Sequence, residues 1–282
     1  MIRLRAPAKL NLTLDVVGRR PDGYHELRSI LQTISLADEV RVAPNEDLKF
    51  TCSDPALAGL DNLVWRAATL LRDEAGIREG AAIELDKRVP AAAGLGGGSS
   101  DAAAALVGLA RLWRLDWPLE RLAALAASLG SDVPFFLWGG TALAEGRGER
   151  IRPLPPLAGL WFVLLPASAR EPDKTRRIFA ALPAADYSRG EATARIEAQL
   201  LAGRVDPADF ANDLTATARR LFPDIERPWT ALTAIGAQPH LSGAGPSVFA
   251  ATADRGEADR WAERLGAAGF EALVVAPLSS GR

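Results

Sequence analysis

One glycine-rich stretch constrains this chain more than any other: Pro90-Ala-Ala-Ala-Gly94-Leu-Gly96-Gly97-Gly98-Ser99-Ser100-Asp101, set between two periodic segments. Upstream, Ile83, Leu85 and Val89 alternate with Glu84, Asp86 and Arg88, which predicts a half-buried strand. Downstream, Ala102, Ala105, Leu106, Leu109, Leu112 and Trp113 fall on one stripe of a 3.6-residue helix, with Ser99, Ser100 and Asp101 available to cap its start. A glycine turn opening a helix presents free backbone N–H groups and the positive end of the helix dipole, which together favour an anion such as phosphate. A flexible linker would need neither the strand before it nor the amphipathic helix after it.

Two common phosphate loops do not fit. A Walker A loop requires Gly-Lys followed by Ser or Thr, and no lysine lies between Arg88 and the helix. Gly94 and Gly96 supply the first two glycines of a dinucleotide fingerprint, but the third position falls on Ser99 and the next elements are helical.

The length of 282 residues suits two domains or one large one. With 33 basic and 35 acidic residues and a net charge of −2, nothing points to nucleic acid or a membrane surface as partner. Cys52 is the only cysteine, so a disulfide within the chain is excluded, as suits a reducing cytoplasm. Lys9 and Asn11 interrupt the first apolar run, which therefore does not read as a signal peptide, and no apolar run reaches the roughly 18–20 residues of a spanning helix. The two histidines, His25 and His240, lack zinc-ligand spacing. Any metal is expected to be a hard cation such as Mg²⁺, held through oxygen and substrate phosphates, with no metal ligand assignable.

From Ile2 to Val17 a single strand is expected, Leu10, Leu12, Leu14 and Val16 on one face and Lys9, Asn11, Thr13 and Asp15 on the other. The polar face reads equally as a solvated surface or as a ligand-facing one. Gly18 to Gly23 is a turn, after which Tyr24 and His25 open a strand running toward Leu36. Their rings suit a planar ligand or plain strand packing. Short strands follow at Val40–Val42 and Leu48–Cys52, then a helix from Asp61 or Asn62 to Gly76. A helix opening at Pro118 stops at Gly130, and Asp132 in Ser131-Asp-Val-Pro134 reads as a helix cap or a partly buried carboxylate. A strand near Thr141–Ala144 closes the first half. The Arg152-Pro-Leu-Pro-Pro156 segment sets the domain boundary, giving domains 1–153 and 154–282. Beyond it come a strand at Trp161–Leu165, helices near 175–182, 191–201, 214–222 and 225–235, and a second glycine turn, Leu241-Ser-Gly-Ala-Gly-Pro-Ser247. Strand 248–251, helix 258–268 and strand 272–275 complete an α+β half.

The Pro90–Asp101 stretch resembles the second motif of the GHMP kinases, the galactose, homoserine, mevalonate and phosphomevalonate kinase family. Leu241–Ser247 is similar to their third motif and Pro7-Ala-Lys9-Leu-Asn11-Leu to their first, in the right order over nearly the whole chain. Arg20-Pro-Asp-Gly-Tyr-His25, the triple glycine and Ser131–Pro134 resemble the branch of the family acting on a cytidine diphosphate-linked methylerythritol in the non-mevalonate isoprenoid pathway. The resemblance implies a two-domain α+β GHMP kinase fold, ribosomal-protein-S5-like at the N-terminus and ferredoxin-like at the C-terminus. It also implies a small-molecule kinase using ATP and Mg²⁺, monomeric or weakly homodimeric.

By the same resemblance Lys9 and Asp132 are the catalytic pair, Asp132 accepting the hydroxyl proton and Lys9 keeping it ionised. Pro90, Ala91, Ala92, Ala93, Gly94, Leu95, Gly96, Gly97, Gly98, Ser99 and Ser100 would wrap the ATP phosphates. Asn11 would contact the acceptor, Tyr24 and His25 the cytosine, and Phe179 its other face. Asn212 and Asp213 match a family pair without an assignable role. Asp101 stands where Asn or Ala occurs in relatives, as a helix cap or a Mg²⁺ contact.

Overall fold

In the computed structural model, which describes residues 1–167 and 173–280, strands and helices alternate along the chain. In chain order they are β1 (Ile2–Asn11), β2 (Thr13–Arg19), β3 (His25–Asn45), β4 (Leu48–Cys52), α1 (Leu63–Ala75), β5 (Gly80–Asp86), α2 (Gly97–Leu112), α3 (Leu119–Leu129) and the single turn α4 (Phe135–Trp138). There follow β6 (Thr141–Gly146), β7 (Arg150–Pro153), β8 (Trp161–Leu165), α5 (Lys174–Ala181), α6 (Glu191–Leu201), β9 (Ala211–Asn212), α7 (Thr215–Leu221), α8 (Glu226–Ala234), β10 (His240–Leu241), β11 (Val248–Thr252), α9 (Arg255–Ala267) and β12 (Leu273–Val275). Among the described residues no helix is long and apolar enough to cross a membrane.

The chain divides into two units that interleave in sequence: unit 1 is Met1–Ala8, Leu36–Val89 and Gly96–Trp138, and unit 2 is Lys9–Ser35, Pro90–Leu95 and Gly139–Arg282. In unit 1, β5 runs antiparallel to the second half of β3, from Glu39↔Asp86 to Asn45↔Gly80, and β4 lies parallel on its other side. Val64, Ala67, Ala68 and Leu71 of α1, and Ala102, Ala105, Leu106 and Leu109 of α2, are the i, i+3, i+4, i+7 stripes of two helices, and all are buried with Val40, Val42, Ile83 and Leu85. Helix α1 has the ends the sequence predicts: the Asn62 side chain accepts from Val64 N at 2.8 Å, and Gly76 closes it at φ 62°.

In unit 2, the first half of β3 pairs antiparallel with β2 and with β6, β7 continues beyond β6, and β9 adds parallel to β2. A second, antiparallel sheet has the order β10-β11-β8-β12, with Ile178, Ala218, Leu232, Ala258 and Leu265 of α5, α7, α8 and α9 in its core. This is the expected α+β arrangement.

Several expectations change. The strand expected from Ile2 to Val17 breaks at Leu12, whose N–H turns to Ile30 O at 2.8 Å, so it becomes β1 and β2. The separate strands expected on either side of Leu36 are one 21-residue strand, because β6 pairs with its first half and β5 with its second. The α2 helix begins at Gly97 with Gly96 as its cap, so Ser99 and Ser100 lie inside the first turn and Asp101 just past it, and none of the three caps it. Asp132 does not cap α4 either, since that turn of helix starts three residues later.

Candidate active site

The polar face of β1 and β2 is not solvated: Lys9, Asn11, Thr13 and Asp15 are all at least nine-tenths buried in unit 2. Buried polar groups persist when hydrogen-bonded, and these are. Lys9 Nζ donates to Asn11 Oδ1 at 2.5 Å, Asn11 Nδ2 to Ser29 Oγ at 2.8 Å, and Ser29 Oγ to Thr13 O at 2.5 Å. Asp15 accepts from Ser188 Oγ and from Thr193 N, both at 2.8 Å. The ammonium of Lys9 is thereby held at a defined point by a network reaching back through three strand residues.

The first part of the glycine loop, Pro90–Leu95, lies against this network. Lys9 N–H donates to Leu95 O at 2.9 Å, and Ser247 N to Ala93 O at 3.2 Å. The second glycine turn closes over both: Ser242 Oγ donates to Gly94 O at 2.9 Å, and a Cβ on Gly243 would stand 3.1 Å from Lys9 Nζ and 3.3 Å from Asn11 Oδ1. Gly94 has φ +80°, and a Cβ there would collide with the carbonyl oxygens of Ser242 and Gly245. Asn212 ties the turn down, its Nδ2 donating to Leu241 O at 3.0 Å and Gly243 O at 2.8 Å, its Oδ1 accepting from Leu214 N at 2.9 Å. The neighbouring Asp213 accepts from Val16 N at 2.7 Å. The unassigned Asn-Asp pair thus has structural work, Asn212 on the turn and Asp213 on β2.

Along the chain the loop continues into α2. The N-cap Gly96 makes no side-chain cap bond, so the amides of the first turn of this 16-residue helix are left to a ligand or solvent. Among the described residues, Ser100 Oγ and Asp101 Oδ1 are buried without hydrogen-bond partners. Gly98 is exposed, and a Cβ there would meet only Leu63 Cδ1, at 3.9 Å. The fold itself has no use for a glycine at 98; close approach of a ligand to the backbone does.

The stem of the loop in unit 1 is held by a buried charge cluster that sequence reading missed. Lys87 Nζ bonds Asp38 at 2.5 Å and Asp101 at 2.8 Å, and Asp38 also accepts from the amides of Arg88 at 2.5 Å and Val89 at 2.7 Å. The signal was available only as Lys87 standing just before the loop. Burial pushes Asp101 up to about 7; Lys87 opposes this and Asp38 adds to it, because one ammonium serves two carboxylates. Burial alone would lower Lys87, but the two carboxylates outweigh it and leave its pKa raised.

Between about pH 4 and 7 the folded protein therefore keeps a proton on Asp101 that the unfolded chain has lost, so this group lowers stability as pH rises through that window. Asp101→Asn is expected to stabilise the protein by roughly 1–2 kcal/mol at pH 8, a gain that fades toward pH 4. Urea unfolding of both proteins at the two pH values checks this; a variant less stable than the parent at pH 8 contradicts it.

Tyr24 and His25 part company. Tyr24 is 53% exposed with the Arg147 guanidinium 5.2 Å from its ring centre. His25 stacks on Phe179, centroids 5.1 Å apart at 29°, and its Nε2 lies 3.0 Å from Tyr187 Oη. Burial and then the charge of Arg19 lower the His25 pKa, which favours the neutral ring. Sequence reading joins His25 to Phe179 only through the family; Tyr187 was missed. An intervening base needs about 7 Å between flanking rings, so His25 and Phe179 are stacked on each other rather than spaced for one. Asp132 sits half-buried in the turn before α4 of unit 1, flanked by fully buried Val133, Phe135 and Leu137. Among the described residues no three His, Cys, Asp or Glu side chains cluster as a metal site.

Comparison with known proteins shows the family. Residues 62–140 match the family described as GHMP kinases N terminal domain. The 4-diphosphocytidyl-2-C-methyl-D-erythritol kinase of Dehalococcoides mccartyi is 41% identical over 280 residues, covering 99% of each chain. That of Gloeobacter violaceus is 39% identical over 99% of this chain and 95% of its own. A crystal structure of 4-(cytidine 5'-diphospho)-2C-methyl-D-erythritol kinase superposes with a TM-score of 0.80 at 38% identity, covering 99% of this chain and 100% of that one. Homoserine kinase from Cytophaga hutchinsonii shares the fold, with a TM-score of 0.77 at 19% identity over 99% of this chain and 95% of its own. With full-length identity at this level, and with both glycine turns and the buried Lys9 network in place, the chain belongs to the GHMP kinase family, among its 4-diphosphocytidyl-2-C-methyl-D-erythritol kinases.

Proposed function

We propose that this protein transfers the γ-phosphate of ATP to a hydroxyl of 4-diphosphocytidyl-2-C-methyl-D-erythritol, giving the 2-phosphate and ADP in the non-mevalonate isoprenoid pathway. The observation that carries this reading is Lys9, a buried ammonium held by Asn11 beneath a glycine turn that also grips the phosphate loop. Phosphoryl transfer needs cations and amide donors around the phosphates and a carboxylate for the acceptor proton. Pro90–Ser100 is the triphosphate cradle, its uncapped α2 amides and the open space at Gly98 fitting an anion against the backbone.

Asp132 takes the proton of the attacking hydroxyl, and Lys9 stabilises the negative charge that develops. Asn11 orients the acceptor, whose contact also aligns with Lys9 along one face of β1. His25, Tyr24 and Phe179 receive the cytosine, and Phe179 has to move off His25 for the base to lie between them. Mg²⁺, when bound, neutralises phosphate oxygens. Composition suits a cytoplasmic enzyme without nucleic-acid or membrane partners, and we take it to be a monomer or weak dimer.

Phosphorus NMR of a reaction containing the protein, Mg·ATP and the cytidine-linked substrate is expected to show ADP and a new phosphomonoester on the methylerythritol part. Absence of transfer by folded protein refutes the reading.

A further inference from the structure

Lys174, the first residue of α5, has no place in the chemistry described above, yet only 6% of it is exposed. Its Nζ donates to Ala244 O at 2.8 Å and to Gly245 O. Placing an ammonium in a buried position is costly without a counter-charge, and here, among the described residues, the partners are two backbone carbonyls. Burial first, and then the positive charge of Lys9, lower its pKa to about 8. An ammonium kept under those conditions calls for a reason other than stability.

The reason lies in what those carbonyls adjoin. In the turn 241–247, Asn212 holds the carbonyls of Leu241 and Gly243, and Ser242 holds Gly94 O. The carbonyls of Ala244 and Gly245 are held by Lys174. Gly245 O is one of the two oxygens that Gly94 packs against, and Gly243 in the same turn packs over Lys9 Nζ. Without Lys174 the turn is still held at 241–243 by Asn212 and at Ser247 by its bond to Ala93 O, but its middle, the 244–245 carbonyls that Gly94 packs against, loses its side-chain anchor.

We propose that Lys174 is a positioning residue for phosphoryl transfer, locking the 243–245 turn so that Gly94 of the phosphate loop and the Lys9 ammonium keep their places. The proposal rests on the kinase reading, and its test separates the two. In the full chain, Lys174→Met removes the donors and the charge while keeping an unbranched side chain of similar length. Its kcat is expected to fall 10- to 100-fold, with KM for ATP and for the cytidine-linked substrate each within about threefold of the parent. Its melting temperature should hold or rise, because the buried charge is gone. Lys174→Arg, which retains charge and donors, should recover at least part of the loss.

Independently of any activity, the ¹⁵N-resolved amide signals of Gly94 and Gly243 should shift or broaden in Lys174→Met. A Met variant with kcat within twofold of the parent, or with both glycine signals unmoved, overturns the role of Lys174. A parent protein that is folded but inactive refutes the kinase reading instead, and the glycine signals still decide whether Lys174 holds the turn.

Discussion

Asp132→Ala is expected to lower kcat by 10²–10⁴, the usual reach of a general base, which corresponds to about 3–5 kcal/mol in the activation barrier. The turn that carries Asp132 is stiff: Val133 N donates to Gly130 O at 3.2 Å, Phe136 N to Val133 O at 3.2 Å, and the flanking Val133 and Phe135 are fully buried. A half-buried side chain on such a base can be removed without opening the core, so the melting temperature and the affinity for ATP should stay near those of the parent. Asp132→Asn, which keeps the size and loses the proton acceptor, should behave alike. Steady-state rates with both substrates saturating, beside a thermal melt, check this. A variant retaining full kcat would remove Asp132 as the base.

Gly94→Ala should damage the protein more broadly. The left-handed φ of +80° costs an L-residue about 1–2 kcal/mol, and the added methyl meets two backbone oxygens, Ser242 O and Gly245 O, which cannot swing away as a side-chain tip could. Overpacking of this type adds about 1–3 kcal/mol, for a total of roughly 2–5 kcal/mol in stability. Activity should fall with it, since the loop and the turn over Lys9 must separate to admit the methyl. Gly98→Ala is the control: its Cβ meets only Leu63 at 3.9 Å inside a helix, so stability should be unchanged or rise by up to about 1 kcal/mol. Any loss of ATP affinity in that variant then reports the nucleotide and not the fold. Urea denaturation of both variants, with ATP titrations, separates the cases; equal stability losses at 94 and 98 would contradict this account of the loop.

Much of this was legible in the sequence, and the reasons are local. The stripes of α1 and α2, the caps at Asn62 and Gly76, and the glycine loop between β5 and α2 follow from periodicity and from residues with special backbone freedom. What stayed illegible depends on partners distant in sequence. Lys9, Asn11, Thr13 and Asp15 alternate with apolar residues whether their face meets water or protein, and only Ser29, Ser188 and Thr193 reveal that it is buried. The full span of β3 was hidden because Leu36-Ala37-Asp38 reads as a break, whereas different strands support its two halves. Asp38 itself is a loop anchor recognisable only once Lys87, Arg88 and Val89 are folded beside it.

The two-residue strands β9 and β10 carry too little pattern to be seen, though Asn212 at the end of one of them pins the second glycine turn. Lys174 gave no signal, since a lysine near a helix start ordinarily faces solvent. The domain cut at 153/154 follows the Pro-rich segment, while the structural units interleave because β1 and β3 each run through both.

Substrate identity is the point on which all the assigned roles turn, and a side-by-side comparison of acceptors tests it most directly. With Mg·ATP fixed, kcat/KM is to be measured for 4-diphosphocytidyl-2-C-methyl-D-erythritol, homoserine and mevalonate. The cytidine-linked acceptor is expected to be preferred by a factor on the order of 10⁴, the discrimination available to a site whose polar groups are left unpaired by the wrong ligand. Turnover of homoserine or mevalonate equal to or faster than that of the cytidine-linked acceptor would contradict the account.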